Sequence, residues 1–277
     1  MTVSPASFPA SSDWLGDIRG LVFDMDGVLW RGKETLPGVV EFFDWARAEG
    51  LPCLMATNNS MSTQAMYVER LGKIGVSVER EQIITSGTAV RDYLRQTYPA
   101  DVTVGAVGMA ALYEVLFEDG GFVRDDHRPQ VQVVGTDLGF VYDDLKRACL
   151  AIRAGAAFIG TNPDTTLPTE EGLVPGCGAL LAAITAATGT LPTVIGKPET
   201  YMFTLCAERL GLAPSQVLMI GDRLDTDILG ANRIASRTAL VLTGVSQREE
   251  IETTGIEPSI VCADLPELLA RLQEARA

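Results

Sequence analysis

The chain has 277 residues, a formal charge of −14, and 47% hydrophobic against 21% charged residues. This is the composition of a globular chain, long enough for one large domain or two ordinary ones. The acidic balance argues against a nucleic-acid polymer or a membrane surface as partner, but leaves a small anionic substrate open, because a bound cation can reverse the local field.

The first residues, "MTVSPASFPASSDW", carry no basic group and no continuous apolar core. They read as a frayed Ser/Pro-rich lead-in and not as a signal peptide. "IRGLVFD" then reads as a buried strand, followed by a helix from about Gly38 to Ala48, with Pro37 near its first turn and Gly50 beyond its end. "LPCLMAT" is the next strand. "STQAMYVERLGKIG" is a helix with Ser62 as its expected N-cap, and "IITS" is a short strand. Strand-like runs continue as "DVTVGAVG", "VQVVGTD", "AAFIGTN", "TVIG", "VLMIGD", "TALVLTG" and "SIVCA". The apolar run Ala179 to Ala187 is too short to span a membrane and reads as a buried helix. "TYMFTLCAERLG" and "DILGANRIAS" are further helices. Strands alternating with helices predict βαβ units and largely parallel sheets, too many strands for one small sheet, and hence two α/β units.

No two of the five cysteines form a C-x-x-C pair, and most sit in apolar runs. They read as buried thiols in a reducing cytosol, not as disulfides or a zinc site. The only histidine, His127, lies in the polar stretch "RDDHRP" and reads as a surface-loop residue. It has no histidine partner for a metal site.

Ligand sites in open α/β sheets lie beyond the carboxyl ends of the strands. Four polar groups fall at such ends: Asp24 and Asp26 in "FDMDGVLW", Thr57-Asn58-Asn59-Ser60, Lys197 after "TVIG", and Asp222 opening "DRLDTD" after "VLMIG". Any one alone is an ordinary turn, loop or helix cap. Four in this order point to chemistry.

The ordered set resembles the phosphatase branch of the haloacid-dehalogenase superfamily. The D-x-D-G-V element is Asp24 to Val28, the hydroxyl element is Thr57 in "ATNNS", the lysine element is "GKPE", and the acidic element is "GDRLDTDI". The long insertion carrying "TNPD" and "GLVPGCGA" looks like the cap of the NagD-like or nitrophenylphosphatase-like subgroup. The resemblance implies a Rossmann-like parallel-sheet core, residues 1–87 and 192–277, interrupted by an α/β cap, residues 88–191. Hinges are expected near Ser86-Gly87 and Gly189 to Pro192.

What the resemblance implies chemically agrees with what phosphoryl transfer requires: a nucleophile, charge neutralisation and an acid for the leaving group. Asp24 is the expected nucleophile, forming an aspartyl phosphate, and Asp26 the expected acid and base. Mg2+ is the implied cofactor, held by a carboxylate oxygen of Asp24, the backbone carbonyl of Asp26 and the carboxylate of Asp222. Asp227 is expected to orient a metal-bound water, and Asp225 to do likewise or cap the following helix. The hydroxyl of Thr57, the amides of Asn58 and Asn59, and Lys197 are expected to hold the phosphate.

A dehalogenase would attack carbon and would need neither Asp26 nor Asp222, so these residues argue against one. A phosphomutase or other phosphotransferase keeps a similar carboxylate pair and stays open, as does a catalytically idle phosphate sensor. The expected substrate is a small phosphorylated metabolite. Specificity is sought between Asn162 and Gly176, at Asp164, Thr166 and Glu170; this stretch has no basic or aromatic residue to clamp a second phosphate or stack a ring. The expected location is cytoplasmic, and a homo-oligomer is compatible with the sequence.

Overall fold

The computed structural model describes residues 12–277, so the expected lead-in lies, as far as residue 11, outside the described residues. In chain order the strands are β1 (Gly20–Phe23), β2 (Trp30–Arg31), β3 (Glu34–Thr35), β4 (Cys53–Thr57), β5 (Ile83–Thr85), β6 (Thr103–Val107), β7 (Val123–Arg124), β8 (Val131–Val134), β9 (Ala157–Gly160), β10 (Thr166–Thr169), β11 (Gly172–Pro175), β12 (Thr193–Val194), β13 (Val217–Gly221), β14 (Arg237–Val241) and β15 (Ile260–Cys262). The helices are α1 (Val39–Ala48), α2 (Gln64–Lys73), α3 (Ser86–Thr97), α4 (Ala110–Tyr113), α5 (Tyr142–Arg153), α6 (Cys177–Thr188), α7 (Thr200–Leu210), α8 (Leu229–Arg233), α9 (Glu250–Thr254) and α10 (Leu265–Arg276).

The chain divides into two compact units. The first runs through Thr57, resumes at Val68–Ile84 and returns for Met202–Ala277; the second is Asn58–Tyr67 with Thr85–Tyr201.

The first unit is built on a six-stranded sheet ordered β15-β14-β13-β1-β4-β5. Its pairings β1 with β13, β1 with β4, β13 with β14 and β14 with β15 are parallel. β1, β4 and β13 are buried along their whole length. Covered on both faces, they read in sequence as unbroken apolar runs instead of alternating ones. Phe23 of β1 stacks on Phe43 at 4.9 Å and meets Phe42 edge-on at 5.3 Å, which seats α1 against the sheet. The strand order reverses at β1, flanked by β4 on one side and β13 on the other. The crevice beyond their carboxyl ends is where such a sheet presents its chemistry.

The second unit carries a five-stranded sheet ordered β12-β9-β8-β6-β7, parallel throughout. Val107, Val134, Ile152, Phe158, Leu181 and Ile184 form part of its core. Within this unit, β10 and β11 make an antiparallel hairpin in the stretch expected to carry specificity.

The structure differs from the sequence expectation in several places. β12 pairs with β9, so residues 192 onward begin in the second sheet, and the Gly189 to Pro192 stretch lies inside the second unit. The 58–67 segment also belongs to the second unit, held there by hydrogen bonds to Asn162, Asp164 and Lys197. Thr63, not Ser62, caps α2, since its Oγ1 accepts the Met66 N–H at 3.3 Å. Helix α6 buries only Cys177, Leu181 and Ile184; its alanines 182, 183, 186 and 187 are exposed, because small side chains at helical spacing lose little by facing water. Two short hairpins, β2–β3 and β10–β11, were not anticipated. Among the described residues no helix is long and apolar enough to cross a membrane.

Candidate active site

Asp24 follows β1 directly, and its backbone N–H donates to Ile220 O at 2.8 Å, extending the β1–β13 ladder by one bond. With Phe23 paired to Ile220, Asp222 lies just beyond the end of β13. Asp227 comes from a π-helical turn, Leu224–Ile228, that follows. Such turns are frequent at functional sites. This local geometry brings Asp24, Asp222 and Asp227 together: their carboxylate oxygens lie within 4.8 Å of one another. All three side chains are buried, at 8%, 1% and 1% exposure.

At that separation each ionised pair repels by roughly 3 kcal/mol with an effective dielectric constant of about 20. Three pairs therefore cost about as much as the whole stability of an ordinary domain. A cation bound among the three would relieve this repulsion. Its donors are oxygens only, with no histidine or cysteine, and this set suits a hard cation such as Mg2+.

The surroundings hold Asp222 in place. The Val245 N–H donates to its Oδ2 at 2.8 Å, and its backbone carbonyl accepts the Ser246 N–H at 3.0 Å. Ser246 Oγ in turn accepts the Leu224 N–H at 3.0 Å. A Cβ at Gly244 would overlap the Asp222 carboxylate and lie 2.6 Å from its Cβ. Gly27 (φ +85) is under the same constraint: its Cβ would also overlap that carboxylate. Thr243 Oγ1 donates to Gly27 O at 2.6 Å, tying the loop after β14 to the turn after β1. Asp227 Oδ2 accepts the Arg223 N–H at 3.2 Å.

Asp26 stands apart from the three. It is exposed, and its Oδ1 accepts the indole N–H of Trp30 at 2.9 Å. The turn is closed by Gly27 N–H to Trp30 O at 2.7 Å. The Arg70 guanidinium stacks 3.7 Å over the Trp30 ring and donates to Gly32 O, which fixes the indole. Asp225 does not join the cluster; it is exposed and forms a two-point ion pair with Arg223 at 2.9 and 3.1 Å. Thr57 is buried at the end of β4, beside β1.

Asn58, Asn59, Lys197, Asp164, Thr166 and Glu170 belong to the second unit. Lys197 is buried, three residues beyond the end of β12 at Val194. Asn59 Oδ1 accepts the Met61 N–H at 2.7 Å, a local turn. Asp164 Oδ2 accepts a bond from Asn58 Nδ2 at 3.0 Å. Thr166 and Glu170 are exposed, at the start and the tip of the β10–β11 hairpin.

Thiol chemistry has no opening. All five cysteines are free and buried, and burial pushes Cys53 and Cys262 up to about 12. Burial also raises the Cys177 thiol, against the lowering effect of its hydrogen bond with Thr161. His127 is exposed on a loop shaped by Asp125 Oδ1, which accepts its N–H at 2.8 Å.

The sequence reading missed Trp30, Gly244, Val245 and Ser246. Trp30 stood inside the quoted D-x-D stretch. The loop after β14 did carry a signal, a hydroxyl residue and a glycine at a strand end in "VLTGVS".

A buried carboxylate cluster at the strand-order reversal of a parallel sheet defines an α/β protein with a candidate site for a hard cation. Comparisons with known proteins narrow this. The model of the haloacid dehalogenase-like hydrolases matches residues 21–121, and a second model of HAD-like hydrolases matches residues 194–268. The acid sugar phosphatase of Staphylococcus aureus is 35% identical over 256 residues, covering 92% of this chain and 98% of that protein. The 4-nitrophenylphosphatase of Thermotoga maritima superposes with a TM-score of 0.88 at 32% identity, covering 93% and 98% of the two chains. NagD of E. coli K-12 superposes with a TM-score of 0.84 at 32% identity, covering 90% and 98%. The chain belongs to the haloacid dehalogenase-like hydrolases and is a phosphatase of their NagD-like branch.

Proposed function

We propose that the protein is a Mg2+-dependent phosphatase that hydrolyses small phosphate monoesters through an aspartyl phosphate on Asp24. The observation that carries this reading is the buried cluster of Asp24, Asp222 and Asp227 at the carboxyl ends of β1 and β13. The carboxylates of Asp24 and Asp222 and the backbone carbonyl of Asp26 would hold the cation, with Asp227 beside them. When bound, Mg2+ supplies charge neutralisation for the phosphoryl group and the carboxylates around it.

In the first half-reaction an Asp24 oxygen forms a bond to phosphorus as the bond to the leaving oxygen breaks. The electron pair stays on that oxygen, and Asp26 gives it a proton, releasing the alcohol. In the second, Asp26 takes a proton from water as the water oxygen attacks the same phosphorus. The bond to Asp24 breaks, phosphate leaves, and both carboxyl groups return to their starting states. The Thr57 hydroxyl, the backbone amides of Asn58 and Asn59, and Lys197 are assigned to the phosphate oxygens. The second unit's 88–191 segment is assigned to the leaving group, with Asp164, Thr166 and Glu170 as its candidate readers. Sugar or polyol phosphates are the favoured class, since the stretch from Asn162 to Gly176 offers hydroxyl and carboxylate partners for hydroxyl groups and no cation for a second phosphate. A phosphotransferase or an idle phosphate sensor is the competing reading. A cytoplasmic setting is the natural one for five reduced thiols.

The test is turnover of p-nitrophenyl phosphate and a panel of phosphorylated metabolites with and without Mg2+. Asp24→Asn should remove turnover with the fold retained. Wild-type protein quenched in acid should carry a hydroxylamine-sensitive phosphate on Asp24. Full hydrolysis by Asp24→Asn rejects the covalent route, and transfer to a second metabolite without release of phosphate favours the phosphotransferase.

A further inference from the structure

The Asn58 carboxamide is bonded on both its atoms. Its Oδ1 accepts the backbone N–H of Lys197 at 2.8 Å, and its Nδ2 donates to the backbone carbonyl of Lys197 at 2.8 Å. The second Nδ2 proton goes to Asp164 Oδ2 at 3.0 Å. A primary amide has two protons to give, so both are used. The orientation of the amide follows from its partners: an N–H faces the oxygen, while a carbonyl and a carboxylate face the nitrogen. The backbone carbonyl of Asn58 accepts Ser86 Oγ at 2.6 Å and Asn162 Nδ2 at 2.9 Å. The residue is therefore held from behind by two side chains while it grips Lys197 in front.

The grip closes on a crowded turn. Gly196 N–H donates to Thr161 O at 2.8 Å, and a Cβ at Gly196 would lie 2.6 Å from Asn58 Oδ1 and 2.5 Å from Thr161 O. Lys197 itself is 3% exposed. A lysine side chain is a flexible four-carbon stem, so the place its ammonium can reach depends on where its backbone is anchored. Here both backbone polar groups of Lys197 bond to one side chain, 139 residues away in the chain.

We infer that the Asn58 side chain is a positioning residue for Lys197, fixing the lysine backbone through a two-point amide clamp, and that it does not itself bind the substrate. The inference rests on the reading of Lys197 as the group that neutralises the phosphate. Asn58→Ala removes both bonds. Asn58→Asp keeps size and an acceptor for the Lys197 N–H, but has no proton for Lys197 O and sets a carboxylate against Asp164.

The test combines native-state hydrogen exchange at the Lys197 amide with kcat/KM for p-nitrophenyl phosphate in Asn58→Ala, Asn58→Asp, Lys197→Ala and the double variant Asn58→Ala/Lys197→Ala. The Lys197 amide should exchange at least about tenfold faster in Asn58→Ala, relative to amides in the β8 and β9 strands, since a bonded amide is freed. Asn58→Ala should lower kcat/KM by up to about a hundredfold, the scale of a misplaced catalytic group. In the Lys197→Ala background the same change should cost less than about threefold, because a residue acting through another has little left to lose. Asn58→Asp should fall on the side of Asn58→Ala in both readouts, and it carries the test if the alanine variant does not fold. Multiplying losses in the double variant overturn the inference, because Asn58 would then act independently of Lys197. Unchanged exchange at Lys197 in both Asn58 variants overturns the clamp. Wild-type turnover by Lys197→Ala, together with fast exchange in Asn58→Ala, instead overturns the assignment of Lys197 to the phosphate.

Discussion

Gly244→Ala tests the cation site without touching a carboxylate. The added methyl would overlap Oδ2 and Cγ of Asp222 and sit 2.6 Å from its Cβ, so either the loop after β14 or the Asp222 side chain must move. Either movement breaks the 2.8 Å bond from the Val245 N–H to Asp222 Oδ2. A hydrogen bond to a charged group is worth about 1.5–3 kcal/mol. Mg2+ also tolerates little displacement of its ligands, since it binds oxygens at a short distance in a near-ideal octahedron. A loss of about 2 kcal/mol in cation affinity raises the Mg2+ concentration for half-maximal activity roughly thirtyfold. The assay is a Mg2+ titration of p-nitrophenyl phosphate turnover, with a parallel titration of thermal stability that reads binding without catalysis. Gly72→Ala is the control, since a Cβ there meets no atom within 4 Å and the position lies inside α2, where alanine favours the helix. Equal Mg2+ requirements for wild type and Gly244→Ala, by both readouts, would refute the argument that this loop holds Asp222 for the cation.

Trp30→Phe keeps the ring beneath Arg70 but removes the N–H given to Asp26 Oδ1; pre-steady-state phosphorylation by an alkyl phosphate should slow roughly tenfold more than that by p-nitrophenyl phosphate, whose leaving group needs no proton. Equal slowing of both esters would count against a role for Trp30 in aiming the acid. Substitution of Thr166 or Glu170 by alanine should reorder the small phosphate esters by kcat/KM, with changes of order 1–3 kcal/mol between substrates and little change for p-nitrophenyl phosphate; a uniform factor for every ester would remove the hairpin from substrate reading. The thiols supply a pH prediction. Burial raises Cys53 and Cys262 from 9.0 to about 12, so the folded state keeps these protons where the unfolded state loses them. Their contribution to stability is complete below pH 9 and is lost as pH rises toward 12, and native protein at pH 8 should resist alkylation until denatured. A thiol that reacts with iodoacetamide at the rate of the unfolded chain would contradict this.

Much of the first unit was legible in the sequence because its strands are short, buried on both faces and end at charged or hydroxyl residues. "GLVFD", "CLMAT" and "VLMIGD" announce three adjacent strands, and parallel pairing from a shared direction puts Asp24, Thr57 and Asp222 at one edge. The same logic failed at "TVIG", where a two-residue strand has too few side chains to declare its sheet; only the pairing of Thr193 with Ile159 places it in the second unit. It failed again at Asn58. A side-chain amide in a polar loop carries no sign of which distant backbone it will grip, so its bonds to Lys197 exist only once the fold brings position 197 to it. Asp225 and Asp227 make the same point across two residues. Their local sequence is equally acidic, but the π-turn buries one with Asp24 and Asp222 and turns the other out to Arg223. Residue type and strand ends are local properties, written into short stretches of the chain. Which carboxylate is buried, which loop braces it and which amide holds the lysine depend on contacts between segments far apart in the chain, and these arise only when the folded chain brings those segments together.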